Sequence, residues 1–249
     1  MKHSDNIRVI RIILLYQNLM RETKIWYKKW WGVLLVVLAM LFLALLVAIG
    51  FYFVSLVQGY KTGNLSLNAQ IDSNLTGQKY DATADTENDY WLGSANPKIT
   101  IVEFADFACP FCEASFPNIR ELTVEHKNDI KFIFRDFPIK QSYSADLALA
   151  ARCAGEQGLF WPMYDKLFLN QGVSTQGQLE ELANEIGADM NNFDSCFTSQ
   201  KYLPQIQKDF TDGQNLGVKG TPTWFVNGYK LEGDIPMSGW EEIIDKFTK

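Results

Sequence analysis

Histidine is scarce in this chain, and its scarcity argues against several kinds of catalytic or metal site. His3 and His126 are the only histidines among 249 residues, and the chain has four cysteines. A structural zinc site needs four ligands, usually Cys or His. Cys153 and Cys196 would complete a four-cysteine set only at spacings unlike those of zinc modules. We therefore predict no metal and no cofactor, and a Cys–His nucleophile for acyl transfer is disfavoured as well.

Positive charge is lacking in most of the chain. The formal net charge is −6, but residues 1–31 hold seven of the 23 Lys and Arg residues and only two acidic ones. The rest of the chain therefore carries 16 basic and 27 acidic residues. An acidic body is a poor candidate for binding nucleic acid, so we expect no nucleic-acid partner.

Charge of either sign is absent from residues 32–57, a run of 26 residues. At about 1.5 Å per residue, a helix of this length crosses the roughly 30 Å hydrocarbon core of a membrane. The alternative is a cleaved signal peptide, but the run is longer than the usual apolar region of one and no A-x-A site closes it. We predict a transmembrane anchor at 32–57 and a basic cytoplasmic segment at 1–31. The bias in Lys and Arg places the C-terminal body outside the cytoplasm of a single-pass membrane protein.

The remaining residues divide into a polar linker and one α/β domain. Residues 58–97 are rich in Gly, Asn, Ser, Thr and Asp, which predicts a tether. Residues 98–249 alternate β-branched apolar runs with helical periods, which predicts one sheet flanked by helices. The predicted elements are a strand (99–105), a helix (109–127), a strand (130–138), a helical insert (about 142–216), a hairpin turning at Asn227–Gly228, and a C-terminal helix.

Cys109 and Cys112 stand between a predicted strand and a predicted helix, in the run FADFACPFCEASFP. Pro110 suits the first helical turn, where its missing N–H is not needed. Free N–H groups and the helix dipole stabilise a thiolate at Cys109, which we expect to be exposed. Cys112, one turn deeper, is expected to be shielded. This asymmetry favours disulfide exchange over a structural disulfide or a zinc site.

The segments VEFADFACPFCEASFP and VKGTPTWFVNG resemble the two active-site segments of thioredoxin-fold oxidoreductases, and the helical insert resembles the DsbA family in particular. The resemblance covers about residues 95–249. It implies an α/β thioredoxin-like fold with a helical insertion, preceded here by one transmembrane helix. It also implies a cis peptide bond at Pro222, facing the cysteines. The backbone of Thr221 would then lie beside the sulfurs, where a substrate chain adds as a strand.

Two positions near the cysteines bear on the chemistry. Strongly oxidising members of the family have a histidine where this chain has Phe111, so we predict a less depressed Cys109 pKa and a less oxidising couple. Phe111 lies between the cysteines and is expected at the surface, with Pro110, where a substrate docks. The family often has a buried acid at the position of Glu103 that handles the proton of the second cysteine. The alternative is that Glu103 points outward at the end of its strand.

Cys153 and Cys196 fall in separate predicted helices of the insert. Some DsbA-like proteins carry a second disulfide in this region, so the resemblance implies a structural bridge between them. The alternative is two separate buried thiols, because Cys is among the most buried residue types.

Together these features predict a membrane-tethered, extracytoplasmic thiol–disulfide oxidoreductase that forms disulfides in exported cysteine-containing proteins. The family resemblance implies reoxidation by a quinone-coupled thiol oxidase in the same membrane. One alternative is the same site working as a reductase or isomerase. The other is a redox-inert thioredoxin-fold module that binds peptides, which the intact CxxC disfavours.

Overall fold

After one long N-terminal helix, the chain combines β-strands with helices, and five of these helices follow one another without an intervening strand. The computed structural model describes residues 30–83 and 89–248, and for 56, 59–70 and 72 it describes the backbone alone. Most of the predicted basic segment, residues 1–29, lies outside the described residues. The elements in chain order are α1 (Trp30–Leu75), β1 (Tyr90–Gly93), β2 (Ile99–Ala105), α2 (Pro110–Glu125), β3 (Ile130–Asp136), α3 (Ser144–Gly155), α4 (Phe160–Leu169), α5 (Gln176–Glu185), α6 (Met190–Thr198), α7 (Leu203–Asn215), β4 (Thr223–Val226), β5 (Tyr229–Glu232) and α8 (Met237–Thr248).

The first part of α1 is apolar enough to cross a membrane. Trp30–Ser55 has a mean hydropathy of 3.2, and almost all of it is exposed. An anchor and a signal sequence share this property. The chain divides into two compact units, Met1–Asn64 and Leu65–Lys249, so α1 ends in the second unit.

The structure differs from the prediction of a polar linker over residues 58–97. The helix α1 continues to Leu75, because Ile71 and Leu75 lie one turn apart and both pack in the core of the second unit. Tyr90–Gly93 forms the short strand β1, which pairs antiparallel with β3. The ring of Tyr90 stacks on Phe160 of the helical insert at 3.8 Å between centroids. The partners in these contacts are distant in the chain. The polar composition of residues 58–97 could therefore not predict the helix and the strand that form there.

One five-stranded sheet, in the order β1-β3-β2-β4-β5, carries the domain. The central strands β2 and β3 are parallel, and β4 pairs antiparallel with β2. Strands β4 and β5 form the predicted hairpin, with Asn227 and Gly228 both at positive φ, as a two-residue turn of this type requires. Because β2 lies between β3 and β4, its carboxyl end is adjacent to the start of β4.

Two buried arginines join the sheet to the helical insert. Arg135 on β3 and Arg152 on α3 are each 1% exposed. Arg135 donates to Asp209 of α7 at 2.8 Å, and Arg152 donates to both Asp136 and Asp209. Burial, with the charge of Asp209, raises the pKa of the neighbouring Asp89 to about 6, although both arginines oppose the increase. These ion pairs hold α3 and α7 against the end of β3.

Candidate active site

The cysteine pair lies just after strand β2, at the start of helix α2. Cys109 is the N-cap residue of α2, with extended backbone angles, and Pro110 occupies the first turn. The turn before it is closed by Asp106, whose Oδ1 accepts from the N–H of Ala108 at 2.8 Å. The other carboxylate oxygen of Asp106 accepts from the N–H groups of Ile139 and Lys140, both at 2.7 Å. Asp106 therefore orders the active-site turn.

Cys109 is enclosed in this structure, so the expectation that it is exposed is wrong for this state. Its exposed fraction is 0% and its Sγ lies 3.1 Å from the carbonyl oxygen of Thr221. The loop before β4 lies against the sulfur, although Pro110 and Phe111, the next two residues in the chain, are exposed.

The sulfur of Cys109 is nevertheless acidic. A hydrogen bond from Cys112, followed by the contact with Thr221 and by bonds from the backbone of Cys112 and Phe111, lowers the pKa of Cys109 to about 5 against the effect of burial.

Cys112 lies one turn deeper in α2 and is 0% exposed. Burial raises its pKa well above the ordinary value, and the sulfur of Cys109 and the carboxyl of Glu103 raise it further. Neither cysteine is part of a disulfide in this structure. One sulfur of the pair is therefore a thiolate at neutral pH, and the other stays protonated.

Glu103 is buried beneath the cysteines, pointing inward and not out at a strand end. It is 1% exposed, and its register neighbours are Phe134 on β3 and Trp224 on β4. Burial, then the charge of Cys109, raises the pKa of Glu103 well above its usual range. A carboxyl in this state can carry a proton at neutral pH.

The peptide bond between Thr221 and Pro222 is cis, at the position where the family resemblance implies one. Thr221 is 6% exposed and its carbonyl oxygen faces the sulfur of Cys109. Phe111 is 60% exposed, while the neighbouring Phe104 and Phe107 are core residues. The Thr221 loop therefore lies against the reactive sulfur, and the exposed Pro110 and Phe111 follow that sulfur in the chain.

Gln171, which sequence reasoning missed, ties the helical insert to the active-site turn. It follows α4, and its side-chain amide donates to the carbonyl oxygens of Phe107 at 2.8 Å and Cys109 at 2.9 Å. Tyr164 of α4 was missed as well, because an aromatic residue in a predicted helix reads as core. These two residues can be recognised as neighbours of the active site only once α4 is known to pack near the carboxyl end of β2.

Cys153 and Cys196 lie on α3 and α6, away from the active site, and are joined by a disulfide with a Cα–Cα distance of 5.7 Å. Among residues 30–83 and 89–248, no three or more His, Cys, Asp or Glu side chains are grouped to hold a metal ion. The four cysteines therefore form one disulfide, Cys153–Cys196, and one free pair, Cys109 and Cys112.

Comparison with known proteins places the chain in a family. A family model described as Thioredoxin matches residues 85–246, more than half of the chain. The chain is also 35% identical over 152 residues to the Na(+)/H(+) antiporter NhaA 1 of Salinispora arenicola, a match that covers 60% of this chain and 23% of that protein. The chain thus spans about a quarter of the length of the curated relatives it matches.

Two solved structures share the fold. BdbD of Bacillus subtilis, in its oxidised form, has a TM-score of 0.59 and 25% identity, covering 69% of this chain and 96% of its own. The thiol-disulfide exchange protein alpha-DsbA2 of Wolbachia pipientis has a TM-score of 0.59 and 22% identity, covering 73% of this chain and 94% of its own. The predicted thioredoxin-like fold with a helical insertion is confirmed. The chain therefore belongs to the thioredoxin family, and its fold is DsbA-like, with the CxxC pair at Cys109 and Cys112 at the start of α2.

Proposed function

We propose that this protein is an oxidase that introduces disulfides into exported proteins through the site Cys109-Pro110-Phe111-Cys112. The observation that carries the proposal is the difference between the two sulfurs. The pKa of Cys109 is lowered to about 5, whereas burial raises that of Cys112. A stabilised thiolate favours the reduced form of the enzyme, which makes its disulfide an oxidant.

The reaction follows from this asymmetry. A substrate thiolate attacks Sγ of Cys109 in the Cys109–Cys112 disulfide, and Cys112 leaves and takes a proton from the buried carboxyl of Glu103. A second substrate thiolate then attacks the substrate sulfur of the mixed disulfide. Cys109 leaves as the stabilised thiolate, and the substrate departs with a new disulfide. Two electrons have moved from the substrate to the enzyme pair.

Substrate binding is assigned to the surface around Cys109. The cis bond before Pro222 and the main chain of Thr221 offer a strand edge to an extended substrate segment. The exposed ring of Phe111, with Pro110, supplies an apolar contact. The disulfide between Cys153 and Cys196 is given a structural role.

We assign the catalytic domain to the outside of the cytoplasmic membrane, tethered by the apolar helix predicted at 32–57. The charge bias of residues 1–31 supports this topology, and a disulfide in the insert fits an oxidising compartment. A quinone-coupled thiol oxidase in the same membrane would reoxidise the pair, and the anchor would raise their effective concentration. Protease added to intact protoplasts should remove the domain, and full protection would contradict the topology.

The direction of the reaction is tested by equilibrating the full-length protein, in detergent, with glutathione buffers. We expect a reduction potential between about −270 mV, the value of thioredoxin, and about −120 mV, the value of DsbA. A potential at or below that of thioredoxin would favour the alternative function of reductase or isomerase. Absence of exchange with glutathione would favour a redox-inert binding module. Cys109→Ser is the matched control, because it removes the nucleophile and keeps its size.

A further inference from the structure

Tyr164 carries a buried hydroxyl that its packing does not explain. The side chain is 0% exposed, and its ring lies among aromatic rings of β3, α2 and its own helix, including Phe134 at 5.3 Å and Phe168 at 4.9 Å between centroids. Its hydroxyl has no hydrogen-bond partner of normal geometry in the described part of the chain. A phenylalanine would fill this position without burying a polar atom, so the hydroxyl needs another explanation.

The carboxyl of Glu103 interacts electrostatically with this hydroxyl. Oε2 of Glu103 is likewise buried without a hydrogen-bond partner in the described residues. Phe134, the register neighbour of Glu103 on β3, packs edge-on against the ring of Tyr164. An interaction with the side chain of Tyr164 acts against burial in lowering the pKa of Glu103. Two unpartnered polar atoms therefore lie together beneath the cysteine pair.

Few other charges face this pair of side chains. Glu103 interacts with the sulfurs of Cys109 and Cys112. Tyr164 also interacts electrostatically with Arg120 of α2 and with Asp165 of its own helix. Burial is the main reason why the pKa of Tyr164 is raised. Those two residues form an ion pair, with Arg120 Nε 2.9 Å from Asp165 Oδ1. Their fields at Tyr164 are opposed, which leaves Glu103 as the charge that the hydroxyl can stabilise.

We propose that Tyr164 is a positioning residue that donates a hydrogen bond to the ionised form of Glu103 whenever that carboxyl has lost a proton to Cys112. The proposal rests on the role given to Glu103 in the proposed function and extends it into the helical insert. It explains why a hydroxyl is kept at a position where only an aromatic ring is needed.

The step that Tyr164 assists is the closure of the active-site disulfide. In a mixed disulfide between Cys109 and an oxidant thiol, the thiol of Cys112 gives its proton to the carboxylate of Glu103. The Cys112 thiolate attacks Sγ of Cys109, the bond from Cys109 to the oxidant breaks, and the oxidant leaves as a thiolate. The rate depends on the fraction of Glu103 that is ionised, which the hydrogen bond from Tyr164 increases.

The test uses reduced full-length protein in detergent and oxidised glutathione as the oxidant. Acid quenching followed by mass spectrometry measures how fast the Cys109–glutathione adduct converts to the internal disulfide. We expect Tyr164→Phe to move the pH profile of this conversion to higher pH, and to slow it about tenfold on the acid side, as for one lost hydrogen bond to a charged group. The fold should be as stable as before or more so, because an unpartnered hydroxyl is removed.

Tyr90→Phe is the matched control. Its ring packs against the same hydrophobic core, but its hydroxyl is only partly buried and donates to the carbonyl oxygen of Arg152, at 3.4 Å. This variant should leave the conversion profile unchanged. In the Glu103→Gln background, Tyr164→Phe should have no further effect on the profile, because the carboxylate that it serves is absent.

A second readout does not depend on catalysis. The infrared band of the protonated Glu103 carboxyl, identified by its loss in Glu103→Gln, should persist to higher pH in Tyr164→Phe. An unchanged band and an unchanged conversion profile would overturn the proposal, as would an equal effect of Tyr164→Phe in the Glu103→Gln background. Because both readouts are independent of whether the couple is oxidising, failure of the oxidase function would be seen separately in the reduction potential.

Discussion

The sulfur of Cys109 lies 3.1 Å from the main-chain carbonyl oxygen of Thr221, a residue 112 positions later in the chain. The contact joins the start of α2 to the loop before β4 and covers the reactive sulfur. A substrate strand pairing with the backbone of Thr221 would place its own cysteine next to this sulfur. Reactivity at Cys109 therefore depends on the electrostatics of the site and on how readily this loop admits a reagent.

The first prediction concerns the reactivity of the two thiols. With iodoacetamide at pH 6, Cys109 of the reduced protein should be alkylated far faster than Cys112, and its rate should increase with pH around a midpoint near 5. In Cys112→Ala the midpoint should move to higher pH, because the largest contribution to the low pKa is the hydrogen bond from that thiol. Mass mapping after brief labelling provides the measurement. Equal labelling of both cysteines would contradict the assigned roles.

The second prediction concerns the pH dependence of stability. The pKa of Glu103 is higher in the folded protein than the roughly 4.3 of an unfolded chain, so the folded state binds this proton more tightly. Binding of this proton therefore stabilises the folded state. That stabilisation is fully present below the pKa of Glu103 in the unfolded chain, and it is lost as the pH increases through the pKa of Glu103 in the folded protein.

Glu103→Gln should thus be more stable than the parent protein at pH 8, and the difference should shrink toward pH 4. Urea denaturation of the reduced proteins over this range measures it. Glu121→Gln, at an exposed position on the same helix as Cys112, is the control and should show no such trend. A parent protein that is the more stable of the two at pH 8 would show that Glu103 is not a buried, unpaired acid.

The third prediction concerns Gln171, whose amide donates to the carbonyl oxygens of Phe107 and Cys109. Gln171→Glu loses both donors and adds negative charge beside the main chain of Cys109, so it should raise the Cys109 pKa and slow alkylation at pH 6. Gln171→Ala, which adds no charge, should have a smaller effect. Gln207→Glu, an exposed substitution in the same insert, is the control. Equal alkylation rates in Gln171→Glu and Gln207→Glu would show that the tether does not affect the sulfur.

The fourth prediction concerns the second disulfide. Cys153 and Cys196 are 43 positions apart, and replacing both by serine should lower the free energy of unfolding by about 4 kcal/mol on the chain-entropy model. The alkylation midpoint of Cys109 should not move if the bridge is structural. Urea denaturation and non-reducing peptide mapping make the two measurements. Free thiols at both positions in the oxidised protein, or a changed Cys109 midpoint, would contradict the structural role.

Much of the secondary structure of the domain could be predicted from the sequence, because the patterns that specify it lie within a few neighbouring residues. The β-branched run from Ile99 to Ala105 forms strand β2 with the predicted bounds, and the Asn227–Gly228 pair forms the hairpin turn. The position of Cys109 and Cys112 at the start of a helix follows from a strand, a proline in the first turn and a helical period. Each of these features depends on neighbours within a few residues.

Other features are decided by tertiary structure. Strand β1 exists because Tyr90 meets Phe160 and pairs with β3, while the helix α1 is prolonged by Ile71 and Leu75 packing in the core. The enclosure of Cys109 likewise depends on the loop at Thr221. No short window of sequence contains both partners of any of these contacts.

The sequence by itself indicated the fold class, through the resemblance of two segments to those of thioredoxin-fold oxidoreductases, and it placed the cysteine pair between a strand and a helix, because these signals lie within short windows of the chain. Only the tertiary structure decided which side chains surround that pair. Gln171 and Tyr164 reach the site from the helical insert, more than 50 residues after Cys109. Their roles depend on where α4 packs against the sheet, and the direction of a side chain across such a distance is set by the packing of the whole domain.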